Sequence, residues 1–137
     1  MLSNEYIAGF FDGEGCIVLT KNGQCKVIVV QKTIEILRLI QVQFGGSIYK
    51  RKATKIGGES CALQFSKKET MLRFLEAIRP HCVVKRDKVE IAIPFIRLTQ
   101  SNENRRQETN GHFLPSETSV ERDLLRSRFY RSNEVNG

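Results

Sequence analysis

The dipeptide Asn22-Gly23 separates two β-branched runs, CIVLT at 16–20 and CKVIVVQ at 25–31, and no other feature restricts the folding of this chain as much. Asn-Gly favours the type I′ turn, whose twist matches that of two paired strands, so the runs form a β-hairpin. Upstream, Ser3 or Asn4 is suited to cap a helix with Glu5 in its first turn, and Tyr6, Ile7, Phe10 and Phe11 recur at helical spacing. Downstream, Thr33 caps IEILRLIQVQF, where Ile34, Leu37, Ile40 and Phe44 form an apolar stripe that Gly45-Gly46 ends.

The pattern then recurs. SIYKRK (47–52), a glycine-bearing loop at 53–59 and CALQF (61–65) predict a second hairpin. Ser66 is positioned to cap a third helix over 67–78, which Pro80 stops. Residues 83–98 carry apolar side chains at 83, 84, 89, 91, 93 and 96 and predict a fourth helix that Pro94 kinks or breaks. The order αββαββα predicts an α+β fold: a four-stranded antiparallel sheet with its helices on one face and the other face open. The first domain is expected at 1–99. Residues 100–137 are expected to be a polar linker, QSNENRRQETNGH at 100–112, followed by a short helix with a capping box from Thr118 to Glu121.

Charge is placed unevenly. Residues 1–99 hold 16 Lys+Arg against 9 Asp+Glu, whereas 100–137 hold six of each, so the net +7 comes entirely from the first part. Between 16 and 66 eight basic residues face only Glu35 and Glu59, a patch suited to a polyanion such as nucleic acid. Cys16, Cys25, Cys61 and Cys82 contain no C-x-x-C pair, and no secretion signal precedes them, so reduced thiols in an intracellular setting are expected. No apolar run is long enough to cross a membrane, and no glycine-rich phosphate loop precedes a helix.

The stretch YIAGFFDGEGCI (6–17) breaks a local rule. If the first helix ends near Gly13 to Gly15, then Asp12 and Glu14 lie at its C-terminus, where the unpaired carbonyls already carry partial negative charge. The carboxylates of Asp12 and Glu14, gathered with backbone carbonyls such as that of Gly13, suit Mg2+. Small residues at Ala8, Gly9 and Gly13 let one helix face approach another backbone, and a second copy of the same helix is the natural partner.

The segment IAGFFDGEG (7–15) resembles the LAGLIDADG signature of the homing endonucleases: Ala8, Gly9 and Asp12 are identical, and Glu14-Gly15 stand as the closing acid and glycine. The resemblance, extending to about residue 98, implies the αββαββα fold. It also implies site-specific double-strand DNA cleavage of the kind encoded by mobile introns or inteins. One motif copy implies a homodimer, with an interface at Ala8, Gly9, Phe10, Asp12 and Gly13. Glu14 would hold Mg2+, or Mn2+ in its place, against the scissile phosphates, while Asp12 braces the helix end. Gln31 resembles the residue that orients the attacking water, and Lys85 the basic residue beside that water and the phosphate. Glutamate replaces the commoner aspartate at position 14, and Glu35 stands where relatives often place a base, which Arg38 or Lys32 could offset.

Strand alternation assigns Val27, Val29, Leu63 and Phe65 to the core and Lys26, Ile28, Val30, Ala62 and Gln64 to the open face. A curved antiparallel ribbon fits the major groove, so Thr20, Asn22, Gln24, Lys26, Lys32, Lys50, Lys52 and Gln64 are the candidate contacts to bases or phosphates. Two-fold symmetry would make the site long and pseudo-palindromic. The tail is either a plain extension or a helix offering Arg122, Arg126, Arg128 and Arg131 to flanking phosphates. Non-catalytic alternatives on the same scaffold are a DNA-binding regulator and an intron RNA maturase.

Overall fold

The computed structural model describes residues 1–52, 58–108 and 117–135, with side chains at 1–52, 58–98 and 120–131. The elements follow the expected order: α1 (Asn4–Glu14), β1 (Gly15–Leu19), β2 (Cys25–Gln31), α2 (Ile34–Phe44), β3 (Ser47–Arg51), β4 (Ser60–Phe65), α3 (Lys68–Ile78), α4 (Arg86–Glu108) and α5 (Glu117–Val135). The glycine-bearing loop lies largely outside the described residues, at 53–57.

The strands form one antiparallel sheet in the order β1-β2-β4-β3, so the two hairpins join through their second strands and leave β1 and β3 as edges. Ile17, Leu19, Cys25, Val27, Val29, Leu63 and Phe65 point to the helix layer and are buried. At the centre of that layer lies Phe74 of α3. Its ring is 5.6 Å from Phe11 of α1, 5.3 Å from Phe44 of α2 and 4.5 Å from Phe65 of β4, so one side chain ties three helices to the sheet.

The helix ends show which local signals prevailed. Ser3 caps α1, its hydroxyl accepting from Tyr6 N at 3.1 Å. Thr33 stands at the N-cap of α2 without a side-chain bond, and the end of that helix is held instead by Arg73, which donates to Phe44 O at 2.7 Å. The N-cap of α3 is Lys67 rather than Ser66, and it too makes no side-chain bond. The start of α4 at Arg86, three residues later than the apolar pattern suggests, follows from the engagement of the Val83 and Lys85 amides by Asp12.

Pro94 does not break α4. The bond a proline cannot make is to the carbonyl four residues back, that of exposed Glu90, while Ile91, Ala92, Ile93, Phe95 and Ile96 around it are buried. Burial of that run outweighs one missing bond. The helix therefore crosses the expected boundary at 99/100 and occupies 100–108, which composition alone marks as linker. The final helix runs for 19 residues and begins at Glu117, one residue before the expected cap at Thr118. Its Phe129 is buried in the common core.

Candidate active site and nucleic-acid interface

The end of α1 explains its own misplaced acid. The Asp12 carboxylate accepts from Val83 N at 2.8 Å and from Lys85 N at 3.0 Å, just ahead of α4, where an anion offsets the positive end of the helix. In return the Lys85 ammonium donates to Asp12 O at 2.6 Å, placing a cation on the negative end of α1. Each helix end is thus capped by the other's residue. Burial alone would raise the Asp12 pKa, but bonds from the amides of Val83, Lys85 and Val84 and from the Cys82 thiol prevail and hold it below its ordinary value of 3.8. The Cys82 thiol is pushed up to about 12 by burial and by Asp12 and so stays protonated.

With Asp12 occupied, Glu14 is the exposed carboxylate at the tip, on the last residue of α1 and beside Gly13. Gly15 follows at once because nothing larger fits: a Cβ there would lie 2.2 Å from the Phe11 ring. Gly15 pairs with Val29, so Gln31, two residues further and last in β2, reaches the same end of the sheet. Its side-chain Oε1 accepts from Lys32 N at 2.8 Å, which leaves the amide nitrogen as its donor group. The structure therefore brings Asp12, Gly13, Glu14 and Lys85 together and sets Gln31 at the same end. Among the described residues no group of three or more His, Cys, Asp or Glu could hold a metal ion.

The outer face of α1 differs from the expected one. Gly9 and Gly13 are exposed, and a Cβ on either would meet nothing within 4 Å. Phe10 is half-buried, and Tyr6, which the sequence reading omitted, is 54% exposed and completes the Tyr6, Gly9-Phe10, Gly13 stripe. Ala8 is fully buried and turned into the chain's own core, and Asp12 is committed to the α4 loop. Val83 and Val84, at 82% and 73% exposure, stand beside this tip.

The open face of the sheet carries Cys16 and Val18 of β1, Lys26, Ile28 and Val30 of β2, and Ala62 and Gln64 of β4, by register. Ala62 is nonetheless fully buried, flanked by Val30 on one side and Tyr49 on the other. In β3 the candidate contact Lys50 falls on the helix side. Lys50 pairs with Cys61 in the same row as Ile48 and Leu63, on the helix side, whereas Tyr49 and Arg51 pair with Ala62 and Ser60 and point to the open side. Alternation counted from Ile48 as a core residue would have found them. Lys52 follows the end of β3, and Lys32 the end of β2, both exposed. In the β1–β2 turn Asn22 and Gln24 are exposed, while the Thr20 hydroxyl is engaged across the turn, accepting from Gln24 N at 2.9 Å.

A family model described as a LAGLIDADG-like domain matches residues 2–79, which takes in α1 through α3. The chain belongs to that family. Among its LAGLIDADG relatives, the intron-encoded RNA maturase bI4 of Saccharomyces cerevisiae is 34% identical over 77 residues, covering 55% of this chain and 11% of that protein. The intron-encoded DNA endonuclease ai2b of Dictyostelium discoideum is 30% identical over 119 residues, covering 79% of this chain and 45% of that one. The chain thus spans less than half the length of either curated relative. The homing endonuclease I-CvuI, solved in complex with its target in the presence of 2 mM Ca, matches with a TM-score of 0.59 at 21% identity, covering 89% of this chain and 80% of that one. That likeness establishes the LAGLIDADG fold. Lys85 and α5 lie beyond the family match, so their placement rests on this structure.

Proposed function

We propose that the chain is a site-specific double-strand DNA endonuclease that works as a homodimer with Mg2+, for which Mn2+ can substitute. The observation that carries this reading is the exchange of caps between Asp12 and Lys85. It leaves Glu14 as the uncommitted acid at the tip of a helix whose outer glycines meet no partner among the described residues.

Carboxylate and carbonyl oxygens are the donors a hard dication prefers, so Glu14 and the Gly13 carbonyl fit such an ion. Among the described residues one chain offers a single exposed carboxylate at this tip, and Glu14 of a second copy would be the further carboxylate for such an ion. When bound, the ion supplies charge compensation at the scissile phosphate and a more acidic bound water. The chain's own residues do the rest. The Gln31 amide nitrogen holds the attacking water in line. The Lys85 ammonium, fixed against the α1 end, places positive charge where charge builds on the phosphate. Lys26, Gln64, Tyr49 and Arg51 on the open face, with Asn22 and Gln24 at the tip and Thr20, Lys32 and Lys52 at the strand ends, bind bases and phosphates of a long pseudo-palindromic site.

A second reading, a non-catalytic DNA-binding regulator or an intron RNA maturase, is favoured by one observation, the name of the yeast relative. A randomised duplex library incubated with the protein in Mg2+ and, separately, in Ca2+ separates the two. The endonuclease cuts in Mg2+ alone, and Glu14→Gln abolishes cutting while leaving binding in place. Duplexes that are bound but never cut by the wild type, or an intron RNA bound in preference to every duplex, would favour the second reading.

A further inference from the structure

The C-terminal helix touches the rest of the molecule at a point that the chemistry above does not use. β1 is an edge strand, and Thr20 N donates to Gln24 O at 2.9 Å, so the neighbouring Leu19–Cys25 pair is of the kind that makes no mutual hydrogen bonds. The N–H and carbonyl of Leu19 therefore point off the sheet edge. One side chain takes up both: the Tyr130 hydroxyl accepts from Leu19 N at 3.2 Å and donates to Leu19 O at 2.9 Å. Arg126 Nε donates to the same carbonyl at 3.1 Å, and its guanidinium lies 5.0 Å over the Tyr130 ring. One turn earlier Arg122, only 8% exposed, lies against the hairpin turn, where a Cβ on Gly23 would come within 2.4 Å of its Nη1.

Residues 122, 126 and 130 are four apart and share one face of α5, with the adjacent Phe129 sunk in the core and Lys88 of α4 at 5.7 Å from its ring. Two of the arginines that the charge pattern offers to flanking phosphates are thus turned onto the protein. What they hold is the tip that carries Lys21, Asn22 and Gln24.

We propose that Arg122, Arg126 and Tyr130 form a clamp that fixes the attitude of the β1–β2 tip, and so sets the base preference of the outer part of each half-site. This rests on the DNA reading above. The three are positioning residues, since they touch the hairpin and not the duplex. β1 leads from Glu14 to Leu19, a span of about 16 Å at 3.3 Å per residue. That is roughly five base pairs along a duplex. The tip therefore reads sequence well away from the cut, and its orientation affects readout without affecting the chemistry at Glu14.

The test uses the full chain and two variants, Tyr130→Phe, which keeps the ring over which Arg126 lies, and Arg122→Gln. Circular dichroism melts establish that both fold. Amide hydrogen exchange at 19–24 is expected to quicken by about tenfold, the effect of one or two lost hydrogen bonds, with exchange at Val29 and Leu63 unchanged. Selection from a randomised duplex library in Ca2+ is expected to show lost base preference about five pairs from the centre, with preference at the centre retained. Ser127→Ala, an exposed position of the same helix, is expected to change neither readout. If both variants select the wild-type sequence with undiminished outer preference, the clamp is overturned. If the wild type itself enriches no duplex, the DNA reading fails and takes this proposal with it.

Discussion

The two faces of α1 are built from the same few residue types but answer to different constraints. On the inward face Ile7, Ala8 and Phe11 are fully buried, and Gly15 is glycine because the Phe11 ring occupies the space a side chain would need. On the outward face Gly9 and Gly13 have open space where a Cβ would be, and nothing among the described residues requires them. Glycine within a helix costs roughly 0.5–1 kcal/mol relative to alanine. A sequence that carries this cost twice on one exposed stripe points to a requirement outside the monomer. The inward face is a folding element, the outward face is the association element of the function proposed above, and Asp12 at their junction joins α1 to α4.

Six substitutions at five positions sharpen or break that contrast. The largest effect is expected for Phe11→Ala, which removes a fully buried ring against Phe74 and should lower unfolding free energy by about 3–5 kcal/mol in a denaturant titration. Asp12→Ala leaves the Val83 and Lys85 amides without their acceptor and should cost about 1–3 kcal/mol by the same measurement. Because the Asp12 carboxyl is held below its ordinary 3.8 in the folded chain, its contribution is present above that pH and is lost as pH falls through the depressed folded value. In Asp12→Asn this part of the acid limb should be flat. A wild-type acid limb identical to that of Asp12→Asn would show that the cap carries no charge effect.

Gly15→Ala should cost about 1–3 kcal/mol, since the new methyl meets the Phe11 ring. Gly9→Ala and Gly13→Ala should have the smallest effect and the opposite sign, each stabilising the isolated chain by about 0.5–1 kcal/mol. Weaker self-association should accompany that gain. A loss of stability at either position would mean that the outer face packs within the monomer after all.

Much of this was legible in the residues. Asn22-Gly23 fixed the first hairpin, and the IAGFFDGEG segment marked both the helix end and its acids. Tyr49 and Arg51 were missed because three consecutive basic residues drew attention to Lys50 and Lys52, while the core residue Ile48, which sets the alternation, assigns the open face to Tyr49 and Arg51. The reciprocal caps of Asp12 and Lys85 join residues 73 positions apart, a pairing that local rules do not encode. The extent of α4 and α5 was hidden for another reason. Their mean hydropathy is low, and α5 is held by buried Phe129, by Leu125 packed against the core and by polar side chains aimed at the β1 edge and the turn beyond it.

The account depends on two copies of α1 meeting through the Tyr6, Gly9, Phe10 and Gly13 stripe at the DNA. The most direct measurement is the mass, by sedimentation equilibrium in Ca2+, of the complex with a duplex recovered by selection. Two chains per duplex are predicted for the wild type, with Gly9→Leu shifting the complex toward a single weakly bound chain while remaining folded. One chain per duplex in the wild type, or two chains per duplex undisturbed by Gly9→Leu, would contradict it.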